Sequence, residues 1–277
     1  MKITEAVILT GGMGTRLLPL SKTISKEMLP IYDVPSIFLL IEEAYNSGIK
    51  KIIFVVTKHN KSLLENFLGD DKYLNNFLKK DPQKMKKLDR IYKVIKNMEF
   101  KYVYQTIKGS YGALYSAKKE IKEDNYILMF CDDLVDSKIP LTKLLIDNYK
   151  KKPAMYVAIK EKKLEDLPKT GIVKLDKENN IIGLVPKEED HSNCELHGRM
   201  LLNKKIFTIK NKLDKHGEEY YLTYALFSFP GEVKGLKYSG EYFNIGEKTG
   251  YIKASIHYAL KDNNEKDKLI KYMKEVI

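Results

Sequence analysis

The chain has 277 residues, 43% apolar and 31% charged, with a formal net charge of +12, an ordinary composition for a globular protein with one ample core. No apolar stretch reaches membrane-spanning length, and Cys131 and Cys194 are too few for a disulfide framework, so a membrane partner is not expected and a reducing cytoplasm is. The positive charge would suit nucleic acid, but Arg16, Arg90 and Arg199 are the only arginines and the lysines are spread as on a solvated surface; no nucleic-acid partner is expected.

Met1–Thr4 leads directly into Ala6–Leu9, an apolar run rich in β-formers, which predicts a buried first strand and no signal peptide. Thr10–Thr15 then places glycines at 11, 12 and 14, where backbone N–H groups can form an anion-binding nest. Arg16, Lys22 and Lys26 add positive charge downstream. A glycine turn with scattered surface lysines would not need these features together, so a phosphate-rich ligand is the natural occupant. The third glycine of a dinucleotide fingerprint is missing after Gly12-Met13-Gly14, and no Gly-Lys-Ser/Thr stands at P-loop spacing.

Pro35–Ala44 predicts a helix stopped by Gly48, and Lys51–Val56 a second buried strand, which makes a βαβ unit and hence a parallel sheet. Lys61–Leu68 predicts a short helix, and the charge-dense stretch 69–95 an outlying helical excursion. Glu99–Gln105 predicts a strand, followed by Lys108-Gly109 and a helix over Tyr111–Lys119. Tyr126–Cys131 predicts a central strand with Asp132-Asp133 at its carboxyl end, the edge where open α/β sheets bind ligands. Adjacent acids there are costly unless compensated, and a divalent cation compensates them. An N-cap acid opening a loop is the other reading.

A helix over Leu141–Tyr149 and a strand over Ala154–Ile159 precede short β-rich pieces at 171–173, 181–185 and 198–202. His191, Cys194 and His197 match no usual zinc spacing and are expected on a surface loop. A helix over Thr249–Leu260 leads to an amphipathic tail, Glu265–Ile277, with Leu269, Tyr272, Met273 and Val276 at helical spacing; it would pack on the domain or on a second subunit.

The Gly-Gly-x-Gly-Thr-Arg loop together with Lys26-Glu27-Met28-Leu29-Pro30 resembles the bacterial UTP–glucose-1-phosphate uridylyltransferases, which are sugar-1-phosphate nucleotidylyltransferases. The resemblance is close over 1–60, recognisable to about 140 and collinear to about 260. It implies an α/β fold: a Rossmann-like, mixed, mostly parallel sheet flanked by helices, with a smaller β-rich sugar-binding part. One domain is expected, with a nucleotide-binding half (1–150), a sugar-phosphate half (151–260) and a C-terminal helix (261–277). The implied reaction makes UDP-glucose and pyrophosphate from UTP and glucose 1-phosphate with Mg²⁺. Thr10, Gly11, Gly12, Gly14, Thr15 and Glu27 fall in the nucleotide-binding motif, with Arg16 and Lys26 on the triphosphate.

By the same resemblance Gln105 and Gly109 bind uracil, and a side-chain amide suits a pyrimidine edge. Without the resemblance Gln105 would read equally well as a polar strand end. Asp132 is implied as the Mg²⁺ ligand and Asn244 as the position of a second one, where the family has aspartate. Lys187 would hold the sugar phosphate, and Gly171 would lie beside the sugar. Pro186 stands where the family has a sugar-reading glutamate, Thr170 where it has tyrosine and Tyr224 where it has aspartate, which leaves another sugar 1-phosphate or NTP, or a non-catalytic nucleotide-sugar-binding regulator, as alternatives. The family often forms dimers or tetramers, so a homodimer or homotetramer is an expectation.

Overall fold

The computed structural model describes residues 2–163, 165, 171–185 and 192–276. The expectations for Lys187, Thr170, Pro186 and His191 lie outside the described residues. In chain order the first part of the chain runs β1 (Glu5–Leu9), the two-residue strands β2 (Pro30–Ile31) and β3 (Val34–Pro35), α1 (Ser36–Asn46), β4 (Lys51–Val56), α2 (Lys61–Leu68), α3 (Lys72–Leu78), α4 (Pro82–Ile95), β5 (Glu99–Tyr104), α5 (Ser110–Ser116) and β6 (Asn125–Phe130). Then come β7 (Asp133–Asp136), α6 (Leu141–Lys151), β8 (Met155–Glu161), β9 (Ile172–Leu175), β10 (Ile181–Val185) and β11 (Cys194–Asn203). The chain closes with α7 (Leu222–Ser228), β12 (Val233–Lys237), β13 (Glu241–Asn244), α8 (Lys248–Ala259) and α9 (Lys266–Val276).

β5, β4, β1 and β6 are parallel neighbours, and β11 joins β6 antiparallel to continue the sheet toward β8, β9 and β10. The central strands read as unbroken apolar runs because helices cover both faces. Ala6 and Ile8 of β1 pack on the face that carries α1, whereas Val7 faces the cluster containing Tyr111 and Leu114 of α5. The same alternation sends Ile52, Phe54 and Val56 of β4 one way and Ile53 and Val55 the other. Since β1, β5 and β6 run parallel, the residues that follow them, Thr10, Gln105 and Asp132, all arrive at one edge of the sheet.

One sequence expectation is corrected and one alternative reading is set aside. Asp132-Asp133 does not open a loop: Asp133 starts β7, which pairs antiparallel with β13 and places Asp133 opposite Asn244. Cys194 and His197 do not sit on a surface loop but on β11, and His197 is 1% exposed. Glu195, His197 and Arg199 break the apolar run of β11 with polar side chains that find partners inside. The tail forms a helix with the expected spacing, in which no residue is buried within this chain and Tyr272 and Val276 are 61% and 60% exposed.

Candidate active site

The turn after β1 is fixed from below. Thr10 is fully buried, with its N–H and hydroxyl both donating to the Val55 carbonyl, at 3.0 and 2.8 Å. Asn60 donates to the Thr10 carbonyl at 2.8 Å and also to Glu27, and its own amide oxygen accepts from the Thr57 N–H at 2.9 Å. Gly14 takes the left-handed conformation (φ 64°), and the Ser21 hydroxyl donates to its carbonyl at 2.7 Å. The Lys26–Met28 turn is pinned in parallel, because the buried Ser36 hydroxyl at the start of α1 donates to the carbonyls of Lys26 (3.2 Å) and Glu27 (2.9 Å).

These supports aim Lys26 into the open space above the sheet edge. Its Nζ lies 2.6 Å from Asp132 Oδ2, with the two side chains 10% and 17% exposed. A Cβ added to Gly12 would lie 3.2 Å from the same Nζ, so the ammonium stands between the glycine turn and the acid. Burial pulls the Lys26 pKa down, and the thiolate form of Cys131 would oppose that most. Burial keeps that thiol protonated, however, so Asp132 is the partner that holds Lys26 charged, with its pKa raised.

Asp132 and Asn244 are brought together by the β7–β13 pairing and by the Ile245 N–H donating to the Asp132 carbonyl at 2.8 Å. Gly246 marks where they converge: a Cβ there would lie 2.8 Å from Asp132 Oδ2, 3.0 Å from Asn244 Oδ1 and 3.1 Å from Arg16 Nη2. Arg16 therefore shares the side of Asp132, although it spends one N–H on Glu247 at 2.7 Å across an exposed pair. Among the described residues no group of three or more His, Cys, Asp or Glu side chains could hold a metal. The two hard oxygens of Asp132 and Asn244 nonetheless suit Mg²⁺, which commonly takes one or two protein carboxylates and completes its shell with water and substrate phosphate.

A cavity of about 570 Å³ occupies this edge, lined by Gly11, Gly12, Met13, Arg16, Lys26, Gln105, Gly109, Asp132 and further residues. Gln105 donates from Nε2 to the Ile107 carbonyl at 2.9 Å, which leaves Oε1 turned toward Gly11 as an acceptor. Gly109 (φ 86°) is locked against the chain at Tyr220: a Cβ would lie 2.6 Å from the Tyr220 N, and the Tyr111 N–H donates to the Tyr220 carbonyl at 2.9 Å. Gly109→Ala should therefore push back the cavity wall, costing about 1–3 kcal/mol of stability and raising the nucleotide KM; urea unfolding and steady-state kinetics measure the two effects.

Several expected residues do not face this space. Thr10, Gly14 and Thr15 shape the turn without lining the cavity, and Gly171 sits where β9 meets β11, its carbonyl accepting from the Leu196 N–H at 2.8 Å. Glu27 is fully buried beside Asn60. Its Oε2 has no partner among the described residues, and burial, partly offset by hydrogen bonds and by Lys26, pushes its carboxyl pKa up. Sequence reasoning missed the role of Asn60 and the cavity positions of Lys108, Ser110 and Glu219. Lys108 and Ser110 flank the expected Gly109, whereas Asn60 and Glu219 come from distant turns that no local pattern marks.

Behind the acids lies a second polar layer that was also missed. Asp133 is buried and accepts from the Gly198 N–H at 2.6 Å and the Tyr242 hydroxyl at 2.8 Å. Burial and the neighbouring Asp132 charge push its pKa up against the opposing influence of His197. His197 stacks on Tyr242 with ring centroids 3.6 Å apart, and Arg199 forms a two-point pair with Glu43 at 3.0 Å for each bond.

The family model for nucleotidyl transferases matches residues 5–258. The chain belongs to the nucleotidyl transferase family. UTP–glucose-1-phosphate uridylyltransferase 2 of Staphylococcus saprophyticus is 31% identical to it over 289 aligned residues, covering 99% of this chain and 98% of the relative. The UTP–glucose-1-phosphate uridylyltransferase of Staphylococcus haemolyticus is 32% identical, with 99% of both chains covered. Among solved nucleotidyl transferase structures, a UDP-glucose pyrophosphorylase complexed with UDP-glucose superposes with a TM-score of 0.83 at 30% identity over 94% of this chain and all of that one. UTP-bound UGPase from Acinetobacter baumannii gives a TM-score of 0.87 at 27% identity, with both chains covered in full.

Proposed function

We propose that the protein is a UTP–glucose-1-phosphate uridylyltransferase that forms UDP-glucose and pyrophosphate. The observation that carries this reading is the Lys26–Asp132 pair set between the glycine turn and the Arg16–Asn244 edge, in one cavity with Gln105 and Gly109. End-to-end similarity to enzymes of that name supports the choice of UTP and glucose 1-phosphate.

The reaction forms a bond from a phosphate oxygen of the sugar 1-phosphate to the α-phosphorus of UTP and breaks the α–β bridge, releasing pyrophosphate. The attacking oxygen is already ionised near neutral pH, so no general base is needed and the protein contributes position and charge. Arg16 and Lys26 neutralise the triphosphate and the departing pyrophosphate, while the glycine-turn N–H groups orient it. Gln105 Oε1 accepts the N3–H of uracil. Asp132 and Asn244 would hold Mg²⁺, which supplies Lewis-acid polarisation of a phosphoryl oxygen. Lys187 remains the proposed holder of the sugar phosphate and Gly171 a neighbour of the sugar.

Both cysteines are free and buried, which fits the proposed cytoplasmic location, and no helix of the described residues is long and apolar enough to cross a membrane. The division of the single domain at 150 and 260, and a homodimer or homotetramer, belong to the same proposal. A second reading, a different sugar 1-phosphate, is favoured by Pro186 at the sugar-reading position and by Tyr224, which stacks on His216 at 4.0 Å.

Purified protein with each NTP and a panel of sugar 1-phosphates, assayed for Mg²⁺-dependent pyrophosphate release, tests both readings. Release with UTP and glucose 1-phosphate supports the first, release with another pair the second, and silence refutes both. Asn244→Asp should lower the Mg²⁺ concentration for half-maximal rate by about threefold to tenfold, because it adds a full charge where only an amide oxygen now stands. An unchanged Mg²⁺ requirement would remove Asn244 from the metal site.

A further inference from the structure

In the proposed reaction Lys26 and Asp132 face different partners, phosphate and metal, yet here they bond each other at 2.6 Å. Lys26 Nζ also borders Gly12, so the ammonium sits midway between the phosphate cradle and the metal carboxylate. The surrounding charge tells against a cation joining it. Arg16 Nη2 reaches the same spot beside Gly246. Asp133 turns its carboxylate inward to Gly198 and Tyr242, and Glu27 is buried on Asn60. Asn244 brings no charge, and its Oδ1 already accepts the Gly246 N–H at 3.0 Å.

A divalent cation approaching without nucleotide would meet an Asp132 carboxylate already paired with Lys26, beside an Arg16 whose own partner Glu247 is likewise engaged. A triphosphate reverses that balance, because its oxygens offer Lys26 and Arg16 stronger partners and supply the metal with ligands of its own. We propose that Lys26 occupies the cation's place on Asp132 until a nucleoside triphosphate draws it off, so that the protein takes up divalent metal only together with nucleotide. The inference rests on the functional reading above and concerns the order in which its ligands enter.

Equilibrium dialysis with Mn²⁺ as the probe tests it without catalysis. Wild-type protein should retain almost no Mn²⁺ at about 1 mM metal alone, and one Mn²⁺ per bound nucleotide once UTP is present. Lys26→Met should bind Mn²⁺ alone at least about tenfold more tightly than wild type, since one competing charge within a few ångströms is gone. Lys26→Met/Asp132→Asn should lose that gain. Stoichiometric Mn²⁺ on the nucleotide-free wild type overturns the proposal by itself, whether or not the variants fold. A folded Lys26→Met with no gain, or a gain that survives Asp132→Asn, overturns it equally. These outcomes are separate from the functional assay: absent pyrophosphate release refutes the transferase reading, whereas metal bound without nucleotide refutes only the role of Lys26.

Discussion

Asp132→Ala should lower turnover by about 10²–10³ while the protein still unfolds cooperatively near the wild-type temperature, and Lys26→Ala should do the same. In the proposed reaction each residue would meet charge that develops or shifts between phosphates in the transition state, where a preorganised charged group in a partly closed site is worth about 3–4 kcal/mol. The fold survives because both side chains end at the cavity rather than in the apolar core. The two variants should differ in their response to metal. Raising Mg²⁺ should recover little activity in Asp132→Ala, which would have lost the proposed metal ligand, whereas Lys26→Ala should still require Mg²⁺ and reach its half-maximal rate at no higher a concentration than wild type. Steady-state pyrophosphate release across a metal titration, alongside thermal unfolding, distinguishes them. Full Mg²⁺-dependent activity in Asp132→Ala would show that the metal is held elsewhere.

The largest loss of stability is expected from Arg199→Met, about 3–5 kcal/mol by urea unfolding. The Arg199 side chain is 1% exposed and Glu43 10% exposed, and Glu43 accepts from Arg199 Nε and Nη2 as well as from the Thr142 N–H and hydroxyl. Removing the guanidinium leaves a buried carboxylate with only the Thr142 donors. It also frees the Asp133 carbonyl, which Arg199 Nη2 holds at 3.0 Å one residue from Asp132, so activity should fall at temperatures where the variant is still folded. Arg199→Met/Glu43→Leu should recover most of the lost stability, because an apolar pair needs no solvation. If the single variant unfolds within about 1 kcal/mol of wild type, the pair contributes no more than a surface ion pair does.

The glycine turn at the cavity was legible in the sequence because its composition is local. Three glycines, an arginine and two lysines within sixteen positions, counted from Gly11 to Lys26, have few other uses, and the strand before them is an unbroken apolar run. The strand before Asp132 was equally legible from Tyr126–Cys131. The β11 network was not. Glu195, His197 and Arg199 look like surface residues on an interrupted strand, and only their partners, on α1, β7 and the segments around Tyr238 and Tyr242, explain why three polar side chains point inward.

The sequence by itself determined that this chain builds a mostly parallel α/β sheet with a glycine-rich turn after its first strand and an acid at the end of β6. Hydrophobic periodicity and glycine placement are properties of neighbouring residues, so they can be read along the chain. Only the tertiary structure decided that Lys26 rests on Asp132, that Glu27 lies behind the turn with Asn60 and that Asn244 shares an edge with Arg16. Those pairings join residues tens to hundreds of positions apart, and their geometry is set by how the sheet stacks its strand ends, which no local pattern encodes.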